Sequence, residues 1–416
     1  MKKLSLFAMI LLAALLLSSC SAERKIAEAK EKLPSAFTTE TSSPALPETT
    51  VTAEPTAVIA EPTEPEPLGV VLTLGDLEGE QPLLSKKQEA FMAENDYNSI
   101  TKYCNAEDEN SRPRYVKLTW KADSDSKPEG LTYTVRVSES EDMADAREFF
   151  LEDKKSPSVL VYNLMPRTVY YWNVTAEADG KTAVSETKSF VMADSLPRVI
   201  HIDGVTNCRD LGGWALADGG RIKYGMVYRT ATLNNNKTTE PRITADGIDT
   251  MLNVLGVKTE IDLRGHLYDD GIMENGITES VLGDGVRYCF CPLEYGHDLK
   301  TDTDEIRRVF GIFADESNYP VFFHCAIGTD RTGMIATVLE ALLGVSEHDI
   351  YMDYVFSNFG KIASRDSMRL VNESDSYLTQ IRQFEGTTDS ESARNYLISI
   401  GVTEDEIGEI IRILTE

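Results

Sequence analysis

The sequence predicts a multidomain chain in which a β-sandwich precedes an α/β domain with a central sheet flanked by helices. Two patterns point to this. Residues 112–194 hold short runs of alternating polarity separated by turn residues, the signature of half-buried antiparallel strands. From about Leu196 strand-like and helix-like stretches interleave, which implies a sheet covered on both sides. At 416 residues the chain is long enough for two or three domains.

The N-terminus reads as a processing signal over residues 1–20. Lys2 and Lys3 supply a positive start and Leu4–Leu17 a nearly continuous apolar run, too short to span a bilayer comfortably. Leu17-Ser18-Ser19-Cys20 closes it and resembles a bacterial lipoprotein lipobox. That resemblance implies cleavage before Cys20, acylation of its sulfur, and an extracytoplasmic protein lipid-anchored to a bacterial membrane. Residues 21–67 follow as a tether rich in Pro, Thr and Glu. Its prolines remove donors and its glutamates repel, so an extended, disordered segment is expected.

Residues 68–111 contain a short apolar strand, Gly69–Leu74, and a helical stretch near Ser85–Asn95, with no function assigned. In residues 112–194 the strands are Tyr115–Trp120, Leu131–Val137, Ser158–Tyr162 and Val169–Ala176. Leu164–Val174 and the early tryptophan Trp120 resemble the strand-corner pattern of fibronectin type III domains, implying a spacer or packing platform.

Residues 195–416 form the second domain. Helices are expected over Asp246–Leu255, Asp304–Ala314, Arg331–Leu343, Glu347–Ser357 and Glu404–Leu414. Gly256–Arg264 and Pro320–His324 are expected as strands, the second buried and leading into the loop Cys325-Ala326-Ile327-Gly328-Thr329-Asp330-Arg331. A tight loop opening a helix turns successive amides toward one point and so makes an anion site. The same field favours the thiolate of Cys325. Arg331, six residues on, can clamp two phosphoryl oxygens, and Thr332 can hydrogen-bond the sulfur. A cysteine thiolate then attacks phosphorus and water hydrolyses the phosphocysteine, with no metal or cofactor required.

His324–Gly333 resembles the loop His-Cys-x-x-Gly-Lys-Asp-Arg-Thr-Gly of bacterial tyrosine phosphatases. Asn207-Cys208-Arg209-Asp210-Leu211-Gly212-Gly213 resembles that family's entry segment, and Val227–Ala231, Ile261–Arg264 and Asp349–Asn358 fall in its order. The resemblance implies a surface-anchored hydrolase of phosphate monoesters, phosphotyrosine favoured, with a phosphorylated protein or small phosphomonoester as substrate. Thr329 stands where the family commonly has lysine, which puts phosphoinositide hydrolysis in doubt. The family places its acid at Asp330; Glu294 and Asp298, about thirty residues upstream of the cysteine, are the alternative proton donors.

Other readings are milder. Arg209 and Asp210 organise the floor of the site or form a structural salt link, and Asp262 and Arg264 read as structural. His324 is expected to bond backbone near the cysteine and tune it. Cys104, Cys208, Cys289 and Cys291 show no disulfide or zinc spacing. The formal charge of −27 argues against nucleic acid as a partner. Two rival functions stay open: an inositol phosphate or phosphoinositide phosphatase, and a non-catalytic adhesion protein that only binds anions.

Overall fold

The computed structural model describes residues 66–125, 128–152, 157–234, 240–265, 277–293, 298–371 and 374–416. The expected signal, Cys20 and all but the last two residues of the tether lie outside them, as does Glu294. No helix of the described residues is long and apolar enough to cross a membrane.

Two sheets share the first core. One is three-stranded, in the order β1 (Val71–Leu74), β3 (Val116–Asp123), β6 (Ser158–Val161). The other runs β2 (Glu80–Gln81), β9 (Lys188–Met192), β7 (Val169–Ala178), β4 (Thr132–Ser138), β5 (Arg147–Glu152), with β8 (Lys181–Val184) on β7. Alternation decides the faces: in β3, Val116, Leu118 and Trp120 are buried while Lys117, Thr119 and Lys121 are exposed. Trp120 meets Tyr133 of the other sheet edge-on at 5.2 Å between ring centroids. The expected start at residue 112 leaves out β1 and β2, because a four-residue and a two-residue strand are too short for alternation to reveal their partners.

The second core surrounds a five-stranded sheet in the order β10 (Arg209–Asp210), β11 (Val227–Thr230), β14 (Val321–His324), β12 (Thr259–Asp262), β13 (Arg287–Phe290). β10 is antiparallel to β11 and the other pairings are parallel. Every residue of β11, β12 and β14 is buried, as befits parallel strands covered on both faces. The expected helices are found as α2 (Ala245–Asp249, continuing as a π-turn through Val254), α3 (Thr303–Phe313), α4 (Asp330–Leu343), α5 (Glu347–Phe356) and α8 (Glu404–Leu414). Two more, α6 (Tyr377–Ile381) and α7 (Asp389–Ser399), carry weak periodicity and were not expected. α4 is buried along its whole length, so it is the central helix that the others cover. Gly333 permits this: a Cβ there would lie 2.7 Å from the Tyr354 ring.

The stretch 68–111 is divided between the two cores. Its strand joins the first, whereas helix α1 (Lys86–Met92), capped by Ser85 in a capping box with Gln88, packs on the second. Leu84, Phe91 and Ile100 belong to the same buried cluster as the central sheet and α4. Phe91 is fully buried, so Phe91→Ala should lower the unfolding free energy by about 3–5 kcal/mol. Urea denaturation of the full chain measures this, and a loss near zero would show that α1 merely rests on the surface.

Candidate active site

β14 ends at His324, and the chain turns through Cys325–Thr329 into α4. This is the carboxyl end of the central parallel strand, where open α/β sheets gather their sites. Gly328 makes the turn possible: its φ is +71°, and a Cβ would stand 2.4 Å from the Thr230 carbonyl oxygen.

The loop carbonyls are all held from behind. Ala326 O accepts the Thr232 amide at 3.3 Å. Ile327 O accepts Asn207 Nδ2 at 3.0 Å. Gly328 O accepts Asn207 Nδ2 at 3.2 Å and Arg229 Nη2 at 3.1 Å. In a trans peptide the N–H points opposite the C=O, so the amides of Ile327, Gly328 and Thr329 turn to the other side together. That is the arrangement of an anion-binding nest.

Those anchors are themselves fixed by a buried ion cluster. Arg209 donates to Asp353 Oδ1 at 2.6 Å through Nε, to the Asp353 carbonyl at 2.7 Å, and to Asn207 Oδ1 at 2.8 Å. Arg229 pairs with the other Asp353 oxygen. Burial opposes ionisation of Asp353, yet the two guanidinium groups hold its carboxyl below the usual range. Glu340 nearby is pushed well above it by burial and by Asp353.

Cys325 is 1% exposed. Burial raises its thiol pKa, but the charge of Arg331 and the hydroxyl and amide of Thr332 more than offset this and bring it below the ordinary thiol value. Thr332 is fully buried. Arg331 is buried, its guanidinium close to the backbone of Gly265 beyond β12. Thr329 is fully buried, and its hydroxyl accepts from Asn207 Nδ2 at 3.4 Å; its side chain therefore faces the back of the loop.

Asp330 is buried and gripped on both oxygens by Arg365, at 2.8 and 2.7 Å, with the Tyr354 hydroxyl donating at 3.2 Å. Asp298 lies half-buried on a turn, accepting the Lys300 amide at 2.9 Å. Asp210 does not touch the loop: it binds Arg198 Nη1 at 2.9 Å and the amides of Gly212 and Gly225 at 2.8 Å each. Of the two residues expected at the floor, Arg209 acts on the loop through Asn207, and Asp210 is the structural salt link. Its partner Arg198 also donates to the carbonyls of Asn163 and Leu164, tying the first core to the second.

His324 sits in a second buried layer. Its Nε2 meets Glu260 Oε1 at 2.9 Å and its Nδ1 the Cys325 carbonyl at 3.3 Å. Burial disfavours the imidazolium, but Asp262 and Glu260 outweigh burial and raise its pKa. Glu260, Asp262 and His324 have the donor types and closeness of a metal site. Asp262 is already engaged, accepting from Arg264 at 2.6–3.1 Å and from the Tyr288 hydroxyl at 2.9 Å, whereas Glu260 Oε2 is buried without a hydrogen-bond partner. The layer reads as a charge network that seats the end of β14.

A sequence model of the tyrosine phosphatase family matches residues 200–416. The chain belongs to that family. A Cupriavidus necator protein named as a tyrosine-protein phosphatase is 28% identical over 176 residues, which is 38% of this chain and 62% of that protein. The chain thus spans less than two thirds of this relative. Among solved structures, the core catalytic domain of the PP-IP phosphatase SIW14 from S. cerevisiae with citrate is 13% identical, covering 45% of this chain and 85% of that one, with a TM-score of 0.25. TpbA of P. aeruginosa is 20% identical, covering 48% and 96%, with a TM-score of 0.24.

Sequence reasoning missed Asp353, Arg229 and Arg365. Asp353 left a trace: a lone carboxylate inside Ile350–Phe356 must find a cation once that helix is buried. Arg365, in an exposed loop, left none. The lowered thiol pKa has a direct readout. Iodoacetamide should alkylate Cys325 faster at neutral pH than it does a free thiol, with the rate falling only as pH drops through the lowered value. A rate–pH curve centred on the ordinary thiol value would remove the thiolate.

Proposed function

We propose that the chain hydrolyses phosphate monoesters, phosphotyrosine favoured, through a phosphocysteine formed on Cys325. One observation carries this: a thiol with a lowered pKa stands at a loop whose carbonyls are all tied backward, leaving its amides for an anion. The thiolate attacks phosphorus in line and the P–O bond to the leaving group breaks. Arg331 and the amides of Ile327, Gly328 and Thr329 stabilise the charge on the transferring group. Water then attacks phosphorus, the S–P bond breaks, inorganic phosphate departs and the thiolate returns, with Thr332 easing its departure.

The departing tyrosine oxygen needs a proton, which we assign to Asp330. At rest its oxygens are taken by Arg365 and Tyr354, so this role requires an arriving dianion to draw Arg365 off the carboxylate. Asp298 and Glu294 are the other donors. Phosphotyrosine is favoured over inositol phosphates because Thr329 turns backward and adds no cation to the site.

The lipid anchor at Cys20 and an extracytoplasmic location form part of the same proposal, resting on the N-terminal sequence. So does the fibronectin type III-like reading of the two-sheet domain. It gains support from Tyr170, whose hydroxyl accepts the Met165 amide five residues upstream at 2.9 Å, the bond of a tyrosine corner.

Cys325→Ser should abolish turnover of p-nitrophenyl phosphate while leaving the thermal melt unchanged; retained turnover would end the nucleophile assignment. Asp330→Asn should slow phosphotyrosine, a poor leaving group, far more than p-nitrophenyl phosphate, a good one. Equal losses would shift the acid to Glu294 or Asp298.

A further inference from the structure

The loop at Cys325 is held by one more segment, far from the matched domain in sequence. Residues 106–111 run as a strap across two supports of the loop. At one end the Ala106 carbonyl accepts the Ile362 amide at 3.1 Å, and the Asn110 amide donates to the Phe359 carbonyl at 2.6 Å. Glu109 Oε2 accepts the Lys361 amide at 3.4 Å. These bonds fix residues 359–362, the stretch that leads to Arg365 and so to Asp330.

At the other end the strap reaches Asn207. Glu109 Oε1 accepts the Ser111 amide at 3.0 Å and also the Ser111 hydroxyl. The Ser111 oxygen accepts the Asn207 amide at 3.3 Å. Asn207 is the residue whose side chain ties back Ile327 O and Gly328 O. It does so from a left-handed backbone, φ +54°, which a non-glycine residue keeps only when its surroundings hold it there. Ser111 itself is buried. A continuous path of hydrogen bonds therefore runs from the Glu109 carboxylate through Ser111 and Asn207 to the carbonyls whose orientation turns the loop amides toward the anion.

We propose that Glu109 and Ser111 are positioning residues of the phosphatase site, acting on Cys325 through Asn207 and on Asp330 through the 359–365 loop. The strap touches neither substrate nor sulfur. It sets the direction of the amides, and a small misplacement of such groups is costly to a reaction that depends on their aim. The catalytic unit of this chain accordingly begins before residue 106, and the stretch 68–111 is part of the enzyme in function as well as in packing.

The kinetic part rests on the phosphatase reading; the thiol part stands without it, so the two fail separately. In the full chain, Ser111→Ala and Glu109→Gln are compared with Glu107→Gln, an exposed carboxylate of the same segment that takes part in none of the bonds just described. Three quantities are measured: kcat and KM for p-nitrophenyl phosphate, the pH profile of iodoacetamide alkylation of Cys325, and the thermal melt. Ser111→Ala should lower kcat roughly tenfold, short of the hundredfold a misplaced group can cost, with KM moving much less. Its alkylation profile should shift to higher pH, because amides aimed less well stabilise the thiolate less. Glu109→Gln, which keeps an acceptor for Ser111, should fall between it and the wild type. A cooperative melt with wild-type kcat and an unmoved alkylation profile in both variants overturns the proposal. So does a loss of activity that merely follows a loss of cooperative melting while the alkylation profile of the folded fraction stays put. Should the wild type turn over no phosphate ester, the shift of the alkylation profile alone decides whether the strap positions the loop.

Discussion

Asp353 between Arg209 and Arg229 is the constraint on which the site depends. Three charged groups are taken out of water together, and the cost is met only because each finds a partner: one carboxylate oxygen for each guanidinium. Other donors of the two arginines reach Asn207 and the Gly328 carbonyl. The cluster thus converts a requirement of burial into the orientation of a backbone loop. Removing Asp353 would strand two cations in the core and release that loop at the same time.

The site is built in layers, each aimed by the one beneath. Foremost are the loop amides and the Cys325 sulfur; behind them are Asn207, Arg229 and Thr232; behind these lie Asp353 and Glu340. On the other flank His324 joins the end of β14 to Glu260 on β12, so the strand that delivers Cys325 is clamped sideways as well as along its hydrogen-bonded edges. None of these outer groups needs to meet substrate. Their common effect is that the loop amides have few ways to turn, and preorganised dipoles of this kind need little rearrangement when charge develops.

Much of this was legible in the residues. The loop motif, the strand before it and the helix after it were readable because they are local: one buried run, one glycine, one arginine at fixed spacing. β12 and β14 were expected as strands, whereas the segment that forms β11 was noted only for its family resemblance. What escaped was long-range. Asp353 is 144 residues from Arg209, and Asp330 is 35 from Arg365, and no periodicity encodes such pairs. The two-residue strand β2 escaped because it owes its existence to a partner more than to propensity, and β1 was expected as a strand but not as a member of the first core. The split of residues 68–111 between two cores was invisible for the same reason, since an apolar helix face does not say which core will receive it.

Thr329 shapes how a charged molecule would come and go. With its hydroxyl turned inward to Asn207, it offers no cation at the opening, while the chain as a whole carries −27. At distances beyond a Debye length of about 8–10 Å, a dianion meets net repulsion weakened by salt. Inside that distance Arg331 and the loop dipoles take hold, and salt weakens them too. Capture and retention should therefore respond to ionic strength in opposite directions, arrival quickening as the grip loosens.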